Sequence, residues 1–276
     1  LAAGLALTPD ARRVLGLDAL GELFGDAPPD DAALPRLTES ATSVAGVLAA
    51  WRTEGPLRHE PTGLEDLDEA TGGGPVYGER WFIAGAPDAG KTAFLVQLAA
   101  TWAARGVAVG ILAVDEEPGD LVGRLAQRAG WTRRQCEERD SATIEGLAAA
   151  LGRLPLRLYG STWTIDAAAD ELAAWAKAAD YERIAFLADS VQTVRCAAEL
   201  SADREPGLPQ AVEMRVAALR AAATRHRAIV IATSEMARGA YRSRKTQDQT
   251  DPLAASKWSG SIENSAPALV ALRSAP

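Results

Sequence analysis

The sequence is poor in the residues on which several kinds of chemistry depend. Its 276 residues include two histidines, His59 and His226, and two cysteines, Cys136 and Cys196. A multi-histidine metal site and histidine-based nucleophilic catalysis are therefore poorly supported. Because the cysteines stand far apart and form neither a CxxC pair nor a zinc framework, we expect free thiols in a reducing compartment, the cytoplasm.

Long apolar runs and an excess of positive charge are also missing. No apolar stretch approaches the length of a membrane span, so we expect no membrane partner. Lysine and arginine number 29 against 37 aspartate and glutamate residues, which gives a net charge of −8. This balance argues against a protein coated in basic surface for tight, nonspecific binding to duplex DNA, although a local basic loop is compatible with it.

A phosphate-binding motif follows a short apolar strand predicted at 81–84. In the pattern G-x-x-x-x-G-K-[ST] the glycines let backbone amides turn inward around a polyphosphate. Lys91 can then reach the β- and γ-phosphates, the Thr92 hydroxyl can coordinate Mg²⁺, and the following helix directs its positive end at the same anion. The pattern predicts that ATP and Mg²⁺ are bound by Gly85, Ala86, Pro87, Asp88, Ala89, Gly90, Lys91, Thr92 and Ala93.

Apolar and amphipathic stretches alternate through the rest of the chain, which predicts an α/β fold with a mainly parallel, twisted sheet and helices on both faces. Further strands are predicted at 107–114, 156–159, 184–188, 228–232 and 268–272, and further helices at 121–130, 131–154, 166–178 and 209–225. Ligands of such sheets bind beyond the carboxyl ends of the strands. The phosphate-binding loop, the acids at 115–117, Asp189, Ser234 and Glu235 all follow strands and are expected to converge there.

Residues 1–58 are predicted to form a separate helical segment, and residues 59–276 the main domain. One helix of this segment is expected to start near Ser40. Apolar residues then recur along one side of it, at Val44, Val47, Leu48 and Trp51. The stripe is suited to packing either on its own domain or on a neighbouring subunit.

Phosphoryl transfer needs a metal and an activated water as well as a held triphosphate. Asp189 follows an apolar strand and is predicted to hold the metal with Thr92; its alternative role is that of a strand-end or capping residue. Glu116 and Glu117 are the candidates for activating the water, and only one is expected to face the phosphates because adjacent residues leaving a strand point in opposite directions. Glu235 is expected near the γ-phosphate.

Several motifs together resemble the RecA-like ATPases and, within them, the ATPase domain of DnaB-type hexameric replicative helicases, with RadA and KaiC proteins as related branches. The resemblance runs from about Pro61 to Arg273. The segments that carry it are the PTGLEDLD sequence at 61–68, GKTAF at 90–94, DEEP at 115–118, ADSVQTV at 188–194, SEMAR at 234–238 and SGSIEN at 259–264. It implies a RecA-like fold, ATP hydrolysis, assembly into a homo-oligomeric ring such as a hexamer, and catalysis by Lys91, Asp189 and Glu116.

The sequence also departs from the resemblance. Glu235 stands where the helicases have a glutamine that senses the γ-phosphate, and this adds negative charge near a phosphate. Hexameric relatives complete each site with a basic residue from the next subunit, a role for which Arg273 is the candidate here. By position, the loops that grip single-stranded DNA would be about 195–209 and 238–256.

The second of these loops is rich in cations and holds one tyrosine, a composition that suits a strand backbone with a stacked base. Its candidate contacts are Arg238, Tyr241, Arg242, Arg244 and Lys245. The alternative for these residues is a solvated polar loop. The resulting prediction is a ring- or filament-forming ATPase that moves on single-stranded DNA as a helicase. Two alternatives stay open: a regulatory, KaiC-like ATPase without nucleic acid, and a nucleotide-dependent scaffold or loader.

Overall fold

The computed structural model describes residues 43–235 and 267–272. Contacts within the chain divide it into two units, Leu1–Pro56 and Leu57–Pro276. In the first unit the described element is helix α1 (Val44–Glu54), which begins four residues after the predicted start because Ser43 caps it: the amide of Gly46 donates to Ser43 Oγ at 3.1 Å. The side chains of Val44, Leu48 and Trp51 are exposed. Packing of this stripe, either on its own domain or on a neighbouring subunit, stays a prediction.

The second unit alternates strands and helices, as the sequence predicts. Its described elements are α2 (Glu65–Ala70), β1 (Arg80–Gly85), α3 (Lys91–Ala104), β2 (Ala108–Ala113), α4 (Pro118–Arg128), α5 (Arg133–Glu138), α6 (Ser141–Leu151), β3 (Leu156–Tyr159), α7 (Ile165–Ala178), β4 (Ile184–Asp189), α8 (Ala197–Leu200), α9 (Leu208–His226), β5 (Ile229–Glu235) and β6 (Ala268–Leu272). No described helix has the length and apolar character needed to cross a membrane.

The described strands form one sheet in the order β3-β2-β4-β5-β1-β6, and every neighbouring pair is parallel. The predicted α/β fold with a parallel sheet is therefore confirmed. The register pairs Ala113 with Asp189 and Gly85 with Glu235, so the last residues of four strands lie at the same edge. The phosphate-binding loop, which leaves β1 at Gly85, lies at that edge too.

Helices cover both faces of the sheet, because successive strand residues point to opposite sides. Phe82, Leu112 and Phe186 pack with α7 and α9 on one face, whereas Trp81 and Ile83 pack with α3 and α4 on the other. α7 lies unusually close to β2. A Cβ on Gly110 would lie 2.8 Å from a methyl group of Leu172, which explains the glycine inside this strand.

The segment at 61–68, which contributes to the family resemblance, fastens the start of the unit to the end of α3. The carboxylate of Asp68 accepts bonds from the amide and the hydroxyl of Thr62, both at 2.7 Å. The Pro61 carbonyl accepts from Trp102 Nε1 at 2.9 Å and from Arg105 at 2.7 Å. These residues therefore hold the backbone of the segment in place at the end of α3 remote from the loop.

The structure corrects two predicted elements. Residues 131–154 are two helices instead of one: Arg139 ends α5 with a φ of 49°, and Asp140 caps α6 by accepting the amide of Thr143 at 2.8 Å. The strand predicted at 228–232 runs on to Glu235, because its last two residues pair with Ala84 and Gly85 of β1.

Candidate nucleotide-binding site

The loop between β1 and α3 has the geometry of a compact phosphate cradle. A Cβ at Gly85 would lie 3.2 Å from Ala89 and 3.3 Å from Lys91 Cγ, so a side chain there would crowd the loop. Gly90 has a φ of 89° and immediately precedes α3. The first amides of α3 have no partner within the helix. They are therefore available to an anion at this helix terminus, as the loop pattern predicts.

Lys91 lies across this loop, half-buried. Its Nζ donates to the carbonyl oxygens of Gly85 at 3.1 Å and Ala86 at 2.9 Å. Burial lowers the pKa of the Lys91 ammonium, and the nearby carboxylates of Glu235 and Asp189 act in the opposite direction. The ammonium thus lacks a direct carboxylate partner among the described residues and is held only by neutral oxygens.

Asp189 lies directly beside Thr92. The Thr92 hydroxyl donates to Asp189 Oδ2 at 2.5 Å, and the buried Thr233 hydroxyl donates to Asp189 Oδ1. A hydroxyl and a carboxylate are oxygen ligands of the kind that Mg²⁺ uses, and Mg²⁺ ordinarily takes few protein ligands and several waters or phosphate oxygens. No group of three or more metal-ligating side chains occurs in the described ranges. The residues present therefore fit a Mg²⁺ held together with a nucleotide.

The two candidate glutamates have different surroundings. Glu116 is half-buried and accepts two bonds from Arg124, from Nε at 2.8 Å and from Nη2 at 2.6 Å. Both side chains line a cavity of about 700 Å³. Hydrogen bonding to Glu116 raises the pKa of the Arg124 guanidinium, and the charge of Asp189 adds to the shift.

Glu117, by contrast, is exposed and is the N-terminal capping residue of α4. Its amide donates to Asp120 Oδ2 at 3.3 Å. The alternative of a turn or capping acid thus describes Glu117, and the assignment of the water-activating role to Glu116 remains the better prediction.

Gln192 joins two strand ends, and sequence reasoning assigned it no role. Its Nε2 donates to Ser234 Oγ at 3.0 Å, and its Oε1 accepts from the amide of Glu235 at 3.2 Å. Gln192 therefore fixes the end of β5 against the loop that leaves β4. Two signals could have pointed to it: its position three residues after a strand-end aspartate, and its place in the ADSVQTV segment at 188–194.

A buried ion pair holds the loop that follows β4 against helix α9. Arg215 of α9 donates to Glu199 of α8, from Nε at 2.9 Å and from Nη2 at 2.6 Å. Its Nη1 donates to the carbonyls of Val191 and Gln192, at 3.2 and 2.6 Å. Burial by itself would raise the pKa of Glu199, but the bonds from Arg215 and from the Cys196 amide outweigh it and lower the value. This contact joins the first predicted DNA loop, 195–209, to the end of β4.

Six of the predicted site residues lie outside the described residues, and their proposed roles rest on the sequence. They are the candidate DNA contacts Arg238, Tyr241, Arg242, Arg244 and Lys245, and the candidate finger Arg273. The structure does bring the loop residues together with Asp189 and Glu235 at one edge of the sheet, through the strand register and through the contact of Thr92. Glu116 follows three residues after Ala113, the register partner of Asp189.

Comparison with known proteins connects this site with a family. A family model for the KaiC ATPases matches residues 60–205. The DNA repair protein RadA of Mycolicibacterium smegmatis is 40% identical over 81 residues, which are 29% of this chain. The matched region covers only 17% of that protein.

Solved structures agree on the fold. A solved ATPase domain superposes with a TM-score of 0.66 at 20% identity, over 85% of this chain and 84% of its own. A DnaB-like replicative helicase gives 0.62 at 18% identity, over 92% of this chain and 60% of its own. The KaiC-like protein PH0186 of Pyrococcus horikoshii gives 0.51 at 19% identity, over 78% of this chain and 81% of its own. Since the family model extends over more than half of the sequence, the chain belongs to the KaiC family of RecA-like ATPases.

Proposed function

We propose that this chain binds MgATP at the carboxyl edge of its sheet and hydrolyses it. The observation that supports this most is the contact of 2.5 Å between Thr92 Oγ1 and Asp189 Oδ2 beside Lys91. A hydroxyl and a carboxylate next to a phosphate-binding loop suit a metal that is shared with a triphosphate. The family match is consistent with the same activity.

The residues of the site divide the reaction between them. When bound, Mg²⁺ offsets the charge that develops on the phosphate oxygens. Lys91 exchanges the carbonyls of Gly85 and Ala86 for phosphate oxygens, and the amides of the loop and of the first turn of α3 bind the same anion. Glu116 accepts the proton of the attacking water on a carboxylate oxygen.

The test of this activity is the substitution Lys91→Ala. We expect ATP turnover to fall by about a hundredfold or more, since a cation aimed at the transferred phosphate is lost. The melting temperature should stay close to that of the wild type, because the bonds that the Lys91 side chain makes within the described ranges go to loop carbonyls. Unchanged turnover in a folded Lys91→Ala variant would show that ATP is hydrolysed elsewhere or not at all.

We further propose that the chain assembles into a ring or filament and moves on single-stranded DNA, as a DnaB-like helicase does. Two observations support this proposal. The sequence motifs between 61–68 and 259–264 resemble those of the helicases, and the fold is shared with a DnaB-like replicative helicase. The RadA relative is named for DNA repair, which supports a nucleic-acid partner. The five candidate DNA contacts supply four cations and one aromatic ring.

A regulatory, KaiC-like ATPase without nucleic acid is the second candidate. The net charge of −8 and the family match favour it. The measurement that separates the two is the ATPase rate with and without single-stranded DNA at low salt. If single-stranded DNA binds and raises the ATPase rate, the result supports the motor. If it neither binds nor raises the rate, the result supports the regulator. Particle mass with a non-hydrolysable ATP analogue tests the assembly in both cases.

A further inference from the structure

Glu235 is held at the mouth of the phosphate loop. It is the last residue of β5, and the register pairs it with Gly85, the first residue of the loop. Its amide donates to Gln192 Oε1 at 3.2 Å, and Gln192 also binds the hydroxyl of Ser234, which is fully buried. The backbone that carries the Glu235 carboxylate is therefore fixed on both sides, by the sheet and by Gln192.

The carboxylate of Glu235 acts on the cation of the loop. Lys91 Nζ donates to Gly85, the register partner of Glu235. Among the carboxylates that favour the charged form of Lys91, Glu235 has the largest effect, ahead of Asp189 and Asp88. Within the described ranges Glu235 forms no salt bridge with any cation. Among the described residues, Lys91 is the cation on which this negative charge acts, and a group that Lys91 binds would meet the same charge.

A nucleoside triphosphate differs from a diphosphate by one more charged phosphate group, which Lys91 would bind at this mouth. A carboxylate carried by this fixed backbone would repel that group, whereas the loop amides would bind the other phosphates. We propose that Glu235 sets the nucleotide preference of the site, shifting it from the triphosphate toward the diphosphate. This inference rests on the proposed nucleotide-binding function.

The test compares equilibrium dissociation constants of the full chain for MgADP and for the magnesium complex of β,γ-imido-ATP, which is not hydrolysed. In Glu235→Gln, which keeps the shape and removes the charge, we expect the imido analogue to bind about tenfold more tightly, and MgADP to change by less than about threefold. The ratio of the two constants, not the ATPase rate, is the readout.

A matched control is Glu182→Gln. Glu182 is exposed and precedes β4 at the opposite edge of the sheet, so the variant changes the net charge equally without altering the mouth of the loop. Its ratio should equal that of the wild type. Glu235→Ala should shift the ratio in the same direction as Glu235→Gln, and thermal unfolding of each variant checks that it is folded.

An unchanged ratio in folded Glu235→Gln, or weaker binding of the triphosphate analogue, overturns the inference. These results leave the proposed function intact as long as the wild type binds both nucleotides and Lys91→Ala loses them. A wild-type chain that binds neither nucleotide overturns the function itself. The two failures are thus distinguished by the wild-type and Lys91→Ala measurements.

Discussion

Two arginine–glutamate pairs in this molecule have almost the same geometry and very different surroundings. Arg215 meets Glu199, and Arg124 meets Glu116, each through Nε and Nη2 at distances between 2.6 and 2.9 Å. The exposed fractions of the arginine and glutamate side chains are 8% and 8% in the first pair, but 44% and 21% in the second.

The difference indicates what each pair can do. Buried charges that lose their partner are strongly destabilising, so the Arg215 pair stays closed in the folded protein and holds the loop after β4 in place. Exposed pairs contribute little to stability because water and salt screen them. The Arg124 pair can therefore open without unfolding the chain, which would leave Glu116 free to meet a water molecule.

The largest effect is expected where the buried pair is broken. Arg215→Gln leaves Glu199 without its cation and removes the bonds to the carbonyls of Val191 and Gln192. The free energy of unfolding, measured by urea denaturation at neutral pH, should fall by about 3–5 kcal/mol.

Arg220→Gln is the control for this variant, since Arg220 is an exposed arginine on the same helix and its loss should change stability by less than about 0.5 kcal/mol.

The pH dependence of the free energy of unfolding supplies a second check. The pKa of Glu199 is lower in the folded protein than the ordinary glutamate value of 4.5. The pair therefore stabilises the protein fully above pH 4.5, and this stabilisation is lost as the pH falls through the lowered pKa of Glu199. Equal stability of Arg215→Gln and the wild type at pH 7 would contradict the comparison.

Changing the carboxylate of the Arg124 pair should separate catalysis from stability. Glu116→Gln keeps hydrogen-bonding groups opposite Arg124 but removes the base, so ATP turnover should fall by about a hundredfold or more while nucleotide binding and stability stay near wild type. Turnover is measured as phosphate release at saturating ATP.

The neighbouring variant Glu117→Gln is the control for that experiment. Glu117 is exposed at the start of α4, and its replacement should change turnover by no more than about twofold. If Glu117→Gln blocks hydrolysis and Glu116→Gln does not, the wrong glutamate has been assigned.

The smallest effect is expected from the cation of the exposed pair. Arg124→Gln should lower the free energy of unfolding by less than about 1 kcal/mol, since the pair is open to solvent. The difference from the wild type should shrink further in about 1 M salt, where charges are screened within about 3 Å. A loss as large as that of Arg215→Gln would remove the distinction between the two pairs.

Much of the fold could be read from the sequence because its signals are local. β3 and β6 have the predicted bounds, 156–159 and 268–272, since a short, mainly apolar run between turn residues is enough to mark a strand. The break between α5 and α6 has a capping signal of its own, Asp140, three residues before Thr143. The apolar residues at 144–151 favour a helix just as strongly, and this periodicity hides the break in the sequence.

The candidate site could be predicted only in part, for a physical reason. Thr92 and Asp189 belong to recognisable local motifs, and parallel strands bring such motifs to one edge. Gln192 reaches Ser234 across 42 residues, and Arg215 reaches Glu199 from another helix. Contacts of this kind depend on strand register and helix packing, which no local pattern in one sequence records.

The bonds at Pro61 have a mechanical consequence. The 14 residues of α3 extend about 20 Å, with Lys91 and Thr92 in the first turn and Trp102 in the last. Trp102 and Arg105 donate hydrogen bonds to the Pro61 carbonyl, so the segment that begins at residue 57 is attached to the C-terminal end of α3. The phosphate-binding loop lies at the N-terminal end of the same helix. A force on that incoming segment would therefore act on the end of α3 that lies opposite Thr92, the partner of Asp189.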